Sequence, residues 1–394
     1  MKFKEYLMED ALDAIIDYRG KTPEKSDTGI PTLSAKSVKN NHINYAECYY
    51  ISPAEYKRFM VRGFPQKGDI LLTTEAPMGM VAKLDRDDVA IAQRLLTLRG
   101  KEGVLDNNYL LYLLQSPYGQ GLLKERETGT TVTGIKQAEF RRIIVKLPDI
   151  TIQKKIGSIL STIDQKITCN TKINDNLQQQ AYAYFLRLFV ENADPAWRLG
   201  TISDLGAVVG GGTPSKEKPE YYTENGIAWI TPKDLSVDKS KFISHGENDI
   251  TELGYRNSSA TMMPAGTVLF SSRAPIGYIA IANNEVTTNQ GFKSVIPHKE
   301  IGTPYVYYFL IHNLPLIESK ASGSTFKEVS GSVMKSVEAV IPDCSTIAKF
   351  NDFCRPIFEL QAKLEQENRE LAAMRDSLLP RLMSGEIDVS SIQI

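Results

Sequence analysis

Basic, amide and hydroxyl side chains recur at matching places in the two halves of the chain, within short polar loops. Lys, Ser and Thr can position a protein on DNA phosphates, whereas Arg, Gln and carboxylates can reach the edges of bases. The two sets therefore predict two similar DNA-binding surfaces, although any one loop could equally be a plain turn between strands. In the first half the candidates are Lys21, Thr22, Lys36, Ser37, Glu75, Gln93, Arg94, Thr130 and Thr131. In the second half they are Thr213, Lys216, Lys233, Asp234, Arg273, Gln290, Ser324 and Thr325.

Two matched positions carry different side chains in the two halves. Glu75 corresponds to Arg273, and Arg94 corresponds to Gly291. Arginine suits guanine and a carboxylate suits the amino group of cytosine, so the two halves could read different bases. Each of these charges could equally form a local salt bridge, and the sequence leaves both interpretations open.

The candidate loops belong to an internal repeat. The segment KGDILLTTEAPMGMVA (67–82) matches AGTVLFSSRAPIGYIA (265–280), and NYLLYLL (108–114) matches PYVYYFL (304–310). Short β-type runs bounded by Gly, Pro and Asp alternate with helices predicted near 107–124 and 303–320. Ser52-Pro53-Ala54-Glu55 also has the pattern of a capping box. Each copy is therefore expected to be one mixed α/β domain.

Each copy of the repeat ends in a long helical pattern. Apolar residues follow a three- and four-residue spacing, interrupted by polar Lys166, Asn170 and Glu367. A narrow stripe of this kind is typical of a coiled coil, and the simplest partner is the helix of the other copy. The alternative is that each helix only docks on its own domain. The stripe residues are Ile156, Ile159, Ile163 and Leu177 in the first helix, and Ile357, Leu360, Leu364 and Leu371 in the second.

The length of 394 residues exceeds the ~250 to 300 at which a single core usually stops growing, so at least two domains are expected. Together with the repeat, this predicts an α+β fold of two similar mixed α/β domains joined by two long helices. We place the domains at 1–149 and 193–344. The central helix is placed at 150–192, and the distal helix with its tail at 345–394.

Composition and motifs exclude several classes of protein. The chain has 46 Lys and Arg against 47 Asp and Glu, so any DNA contact must come from local patches or from partner subunits. Signature motifs of phosphate-binding loops, zinc proteases, serine hydrolases and amino-methylating enzymes are absent from the sequence. No catalytic site and no cofactor site are therefore expected in this chain.

Cysteine, histidine and apolar residues are spread without pattern. The four Cys and four His are isolated in the sequence, which indicates neither disulfides nor a metal site. No apolar run approaches the ~18 residues of a membrane span, and acidic residues occur where a signal peptide would be apolar. We therefore expect a cytoplasmic protein.

The sequence resembles the specificity (S) subunit of type I restriction-modification systems over essentially its whole length. The resemblance rests on Gly212-Thr213-Pro214, on the segment 227–235 with its Ala-Trp-Ile, and on Arg273-Ala274-Pro275-Ile276-Gly277. It also rests on the helical stretches 153–167 and 367–387. The first half departs from the pattern in its Arg-Gly-Lys turn, which weakens the correspondence of individual loops there.

This resemblance implies two target-recognition domains, each of which reads one half of a split DNA site, with an antiparallel coiled coil of the two helices between them. It implies that two modification subunits methylate adenine with S-adenosylmethionine, and that restriction subunits add an ATP- and Mg-dependent motor and nuclease. The present chain would recognise DNA without catalysing a reaction. Open alternatives are a modification-only or related methyltransferase system, a structural adaptor, and an enzyme with fused recognition domains.

Overall fold

Two units make up the described part of the chain, which covers residues 1–129, 133–323 and 327–392 of a computed structural model. The first unit contains Met1–Thr168 and Arg369–Ile394, and the second contains Cys169–Asn368. Four candidate residues of the polar loops, Thr130, Thr131, Ser324 and Thr325, lie outside the described residues. Each unit is described separately below.

The first unit alternates short strands and short helices before a long helix begins. A short 3-10 turn lies at Tyr45–Glu47. The elements are β1 (Phe3–Leu7), α1 (Met8–Ala11), β2 (Leu12–Asp17), β3 (Ile30–Leu33), β4 (Val38–Lys39), β5 (His42–Ile43), β6 (Tyr49–Ile51), α2 (Pro53–Phe59), β7 (Ile70–Thr73), β8 (Val81–Lys83), β9 (Ala90–Ile91), β10 (Leu95–Gly100), α3 (Asn107–Gln115), α4 (Pro117–Glu125), α5 (Gln137–Arg141), β11 (Ile144–Pro148) and α6 (Ile150–Leu186).

The second unit follows the same alternation. Helix α6 ends in a π-helical turn at Arg187–Glu191, and a 3-10 turn lies at Pro219–Tyr221. The elements are β12 (Arg198–Thr201), α7 (Ile202–Leu205), β13 (Gly206–Gly210), β14 (Tyr222–Thr223), β15 (Trp229–Ile230), α8 (Pro232–Val237), β16 (Phe242–Ile243), β17 (Asp249–Ile250), α9 (Glu252–Arg256), β18 (Val268–Ser272), β19 (Ile276–Ala282), β20 (Thr287–Thr288), β21 (Lys293–Pro297), α10 (Thr303–His312), α11 (Leu314–Ser319), α12 (Gly331–Ser336), β22 (Glu338–Ile341) and α13 (Cys344–Ser384).

The main sheets of the two units have the same strand order. In the described residues, the first sheet runs β2-β10-β7-β8 and the second runs β13-β21-β18-β19-β16. The shared strands pair antiparallel, and β16 joins the second sheet parallel to β19. The pair β1 and β11 corresponds likewise to β12 and β22. The internal repeat predicted from the sequence is therefore a repeat of topology.

Both helices predicted as single segments near 107–124 and 303–320 are instead pairs of helices. Helix α3 ends before Ser116, whose hydroxyl accepts the N–H of Gly119 (3.1 Å) and so begins α4. Helices α10 and α11 are likewise divided near Pro315, although no side chain among the described residues caps the start of α11. Proline lacks an N–H and clashes with the preceding turn, so the first turn of a new helix accommodates Pro117 and Pro315 best.

The predicted capping box at Ser52 is only half formed. The hydroxyl of Ser52 accepts the N–H of Glu55 (3.1 Å) and starts α2, as expected. The carboxylate of Glu55 does not close the box, because it accepts hydrogen bonds from the N–H of Glu24 (3.1 Å) and from Arg58 (2.6 Å). The glutamate therefore ties the 21–24 segment to the start of α2.

Helices α6 and α13 pair in opposite directions within each unit. In the second unit Asn170 donates to Glu367 (2.9 Å), and Gln361 donates to the carbonyl of Asn174 (3.1 Å). In the first unit Arg375 and Asp164 form an ion pair of 2.8 Å. Residue numbers that rise along α6 meet numbers that fall along α13. The predicted antiparallel pairing of the two long helices is therefore present.

The predicted stripe of the second helix is wrong at one position. Ile156, Ile357 and Leu364 are buried, whereas Leu360 is 41% exposed. The inward position is Gln361, which is 2% exposed. A buried glutamine is stable there because its side-chain amide donates a hydrogen bond to the carbonyl of Asn174 and accepts one from Lys241. A polar residue therefore interrupts the apolar stripe. Ile159, Ile163, Leu177 and Leu371 are half-buried.

The helices also complete the cores of the domains, as the alternative interpretation proposed. In the first unit, Ile156 packs into the cluster that contains Leu110 and Leu113 of α3. In the second unit, Phe185 of α6 and Phe350 of α13 join the cluster around α10. Each long helix therefore buries one face against its partner helix and another against a domain.

Lys241 joins the second domain to both long helices within the second unit. Its ammonium donates to the side-chain oxygens of Gln178 on α6 (2.8 Å) and Gln361 on α13 (2.8 Å). The nitrogen lies 3.7 Å from the centre of the Phe358 ring, and Glu365 accepts the backbone N–H of Lys241 (2.8 Å). Burial lowers the pKa of Lys241 to about 7. The contact between the second domain and the two long helices therefore depends on a titratable amine.

This pKa predicts that the free energy of unfolding rises between pH 7 and pH 9. An exposed lysine keeps its proton to about pH 10.4, so the unfolded chain binds more protons than the folded chain in this interval. Lys241 then contributes up to about 1.4 kcal/mol per pH unit. We expect the slope of the wild-type free energy of unfolding against pH, measured by urea unfolding, to exceed the slope of Lys241→Met by up to this value. The exposed-lysine control Lys239→Met should behave like wild type, and equal slopes in wild type and Lys241→Met would contradict the assignment.

Candidate DNA-binding surfaces

A groove of about 640 Å³ in the second unit collects the polar residues predicted there. Its wall also contains Tyr222, Trp229, Glu247 and Asn289, which the sequence did not single out as contacts. Every described residue predicted in the second half lines this groove, namely Thr213, Lys216, Lys233, Asp234, Arg273 and Gln290. Positions separated by up to 77 residues in the chain therefore form one surface.

Two aromatic side chains hold the turn that carries Thr213. The indole N–H of Trp229 donates to the carbonyl of Gly212 (3.0 Å), and the hydroxyl of Tyr222 donates to that of Pro214 (2.7 Å). Any side chain at Gly212 would meet backbone, because a Cβ there would lie 2.4 Å from the nitrogen of Ala260. The Gly-Thr-Pro sequence is thus needed for the shape of the wall.

Helix α8 presents Lys233 at the groove, and Asp234 caps that helix. The carboxylate of Asp234 accepts the N–H (2.7 Å) and hydroxyl (2.6 Å) of Thr231 and the N–H of Glu247 (2.9 Å). These bonds satisfy much of its capacity as an acceptor, so Asp234 acts as a structural cap at the groove. The Glu247 carboxylate lies 2.5 Å from the Lys233 ammonium and raises the pKa of that lysine.

The corresponding surface of the first unit is built on the same side-chain pair. Gln93 donates to the hydroxyl of Thr22 (2.8 Å). In the second unit the hydroxyl of Thr213 donates to the side-chain carbonyl of Gln290. The two pairs join equivalent loops, which shows that the repeat extends to side-chain contacts in the candidate surfaces.

The remaining candidates of the first unit are distributed differently. Lys21 and Lys36 are exposed, and Glu75 pairs with Arg94 (2.8 Å). Ser37 must be removed from the candidate set because it is fully buried. Its hydroxyl accepts the N–H of Ser34 (3.3 Å) and lies 3.5 Å from the sulfur of Cys48. The sequence could not distinguish this buried serine from an exposed one, since it directly follows an exposed lysine.

The charged residues at the two mismatched positions form the local ion pairs that the sequence had left open. Arg94 and Glu75 belong to neighbouring loops of the first unit. In the second unit Arg273 lies 3.4 Å from Glu328, which is also 3.5 Å from Lys293. Glu328 could not be predicted as a partner from the sequence, because it lies 55 residues from Arg273 and no recognisable motif surrounds it.

Within the described residues, no cluster of three or more His, Cys, Asp and Glu side chains could hold a metal ion. In the same ranges, no helix is long and apolar enough to cross a membrane. The four cysteines are free thiols. The candidate surfaces are therefore made of ordinary polar and charged side chains.

Comparison with known proteins identifies the family. The family model described as "Type I restriction modification DNA specificity domain" matches residues 14–179 and 196–367, which together form most of the chain. The chain belongs to this family. The two matched ranges correspond to the two copies of the repeat, and each includes part of a long helix. The predicted resemblance to the specificity subunits of type I restriction-modification systems is thereby confirmed.

Relatives of this specificity family match either part or nearly all of the chain. The type I restriction enzyme MjaIX specificity subunit of Methanocaldococcus jannaschii is 44% identical over 148 residues, which are 37% of this chain and 34% of that protein. The chain thus spans about a third of that relative. The HindI specificity subunit of Haemophilus influenzae is 24% identical over 90% of this chain and 94% of that protein.

A solved structure supports the fold. The type I restriction-modification S subunit from M. genitalium superposes with a TM-score of 0.61 and 17% identity, covering 97% of this chain and 96% of that one. The predicted α+β fold, with two similar domains and two long helices in an antiparallel coiled coil, is confirmed.

Proposed function

We propose that this chain is the DNA-reading subunit of a type I restriction-modification complex and that each recognition domain reads one half of a bipartite target. The observation that carries the proposal is the groove of the second unit, where all the described candidates of that half converge. The Thr–Gln pair at the equivalent loops of the first unit supports a second surface of the same kind. DNA recognition thus has a candidate surface in each domain.

The groove has the side-chain types that DNA recognition requires. Lys216 and Lys233 are exposed and can contact phosphates, whereas Gln290 and Arg273 can contact base edges. The whole chain has a net charge of −1, so few phosphates would be neutralised by this chain alone. We therefore propose that partner subunits supply much of the affinity and that this chain supplies sequence choice.

The proposed partners are double-stranded DNA, two modification subunits and, in a complete system, restriction subunits. S-adenosylmethionine, ATP and Mg would bind to those partners, and this chain would bind no cofactor. Two similar domains and a pair of long helices offer two similar places for a repeated partner. A modification-only system and a structural adaptor are the alternatives that the following experiment separates.

We expect the purified chain to transfer no methyl group to DNA and the complex with its modification subunits to methylate adenine within a two-part motif. The measurement is single-molecule sequencing of DNA treated with each preparation and S-adenosylmethionine. Addition of restriction subunits and ATP should produce cleavage if the system is complete, and only methylation if it is modification-only. Methyl transfer that co-elutes with the pure chain would contradict the proposal. Methylation of a target whose sequence does not depend on this chain would indicate an adaptor.

A further inference from the structure

Three loop positions are equivalent in the two domains and hold different residues. Gln93 and Gln290 are equivalent, and each directly precedes the second of these positions. Equivalent backbone bridges join the first position to the third in each domain. Each domain places one glutamate, one arginine and one glycine at these positions. The order is Glu75, Arg94 and Gly134 in the first domain, and Arg273, Gly291 and Glu328 in the second.

Close packing restricts which of the three positions can hold a charged side chain. A Cβ at Gly134 would lie 2.5 Å from the carbonyl oxygen of Thr74, so the first domain cannot place a glutamate there. A Cβ at Gly291 would lie 3.0 Å from the ring of Pro232, so an arginine at that position would require the wall to move. In each domain the glycine thus occupies the position where neighbouring atoms leave least room for a side chain.

Arg94 forms an ion pair with its glutamate. Its Nε lies 2.8 Å from Oε1 of Glu75, and its side chain is 54% exposed. The residue has a φ of 68°, which is uncommon for arginine, and its carbonyl accepts the N–H of Thr74 (3.0 Å). Among the described residues, the side chain of Arg94 donates no hydrogen bond beside this ion pair, so its terminal nitrogens are available to a ligand. Two parallel donors match O6 and N7 of guanine.

Arg273 also forms an ion pair with its glutamate. Its Nη1 lies 3.4 Å from Oε2 of Glu328, and its side chain is 36% exposed. Glu328 is fixed in turn by Lys293, whose ammonium is 3.5 Å from the other carboxylate oxygen. In the described part of the chain, Nε and Nη2 of Arg273 have no partner, and they also form a pair of parallel donors.

We propose that Arg94 and Arg273 each contact a guanine and that Glu75 and Glu328 are the residues that position them. This inference rests on the proposed function and revises the interpretation of Glu75 as a reader of cytosine. A carboxylate paired with an arginine keeps acceptor sites, but its charge is compensated, so the arginine is the better reader of a base. Fixing the guanidinium before DNA binds also reduces the side-chain entropy lost on recognition.

The test uses the complete modification complex and measures methylation of targets that differ from the preferred one by single base pairs. We expect Arg273→Ala to reduce discrimination about 5- to 150-fold at one guanine position of one half-site, as loss of a bidentate contact does. Glu328→Gln should relax the same position to a smaller extent, and Glu328→Asp should retain part of the preference. Arg94→Ala and Glu75→Gln should do the same at one position of the other half-site. Exposed Glu338 on β22 provides the control Glu338→Gln, for which no change is expected.

Two outcomes would overturn the inference without affecting the proposed function. If Glu75→Gln or Glu328→Gln relaxed a different position from its arginine, the glutamate would itself read a base. If the arginine variants weakened methylation equally at all positions, they would be phosphate contacts or structural residues. A wild-type complex without a two-part target would instead reject the proposed function, and this inference with it.

Discussion

Exchange of residues 193–344 for the corresponding segment of another specificity subunit is expected to change one half of the DNA target completely and to leave the other half unchanged. The segment carries the whole groove of the second unit, including Thr213, Arg273 and Gln290. It also keeps β12 together with its partner β22, so the exchange does not divide a strand pair. The base contacts of one domain would thus be replaced as a group.

The exchanged complex should be compared with wild type by sequencing the methylated sites of a host that expresses each one. The reciprocal exchange of residues 1–149 is the matched control and should alter only the other half-site. If either exchange altered both halves, the two domains would not read DNA independently. If neither altered the target in a folded and active complex, recognition would lie outside the domains.

Phe185→Ala is expected to lower the free energy of unfolding of the second unit by about 3–5 kcal/mol. Phe185 is 2% exposed, and its ring lies 5.8 Å from those of Phe350 and Tyr305 and 6.1 Å from that of Tyr308. Removal of the ring would leave a cavity where α6, α13 and α10 meet. Such a loss is a large fraction of the stability of a typical domain.

The loss at Phe185 can be measured by hydrogen exchange of amides in β18, in the same unit, with urea unfolding as a second measurement. Phe353→Ala is the matched control, because Phe353 lies in α13 but is 40% exposed. Because the Phe353 ring packs against that of Tyr184 (4.5 Å) and is partly exposed, we expect the control to lose less, about 1–2 kcal/mol. Equal losses for the two variants would mean that the helices do not share the core of this domain.

The repeat explains why so much of the fold could be predicted from the sequence. Matches such as NYLLYLL with PYVYYFL preserve the apolar pattern of a packed helix, and that pattern is what strand and helix packing require. The paired loops could be predicted for the same reason, since Gln93 and Gln290 occupy the same place in each copy. Local pattern and repeated order were sufficient for these features.

Other features depend on contacts that a pattern does not contain. The exposed position of Leu360 follows from the hydrogen bonds that keep its neighbour Gln361 buried, and these come from helix α6 and from Lys241, all within the second unit. The pairing of Arg273 with Glu328 depends on a backbone bridge between distant segments. Burial of Ser37 likewise depends on Cys48 packing against it. Tertiary contacts decided each of these cases.

Photo-crosslinking tests most directly whether the groove of the second unit binds DNA. A benzophenone amino acid would replace Lys216, which is exposed at the groove, or Leu199, which is 77% exposed on β12 outside the groove lining. Each complex would be irradiated with target DNA, and the crosslinked bases would be mapped. The proposal predicts crosslinks from position 216 to one half-site and few from position 199. Crosslinks from position 199 with none from position 216 would contradict it.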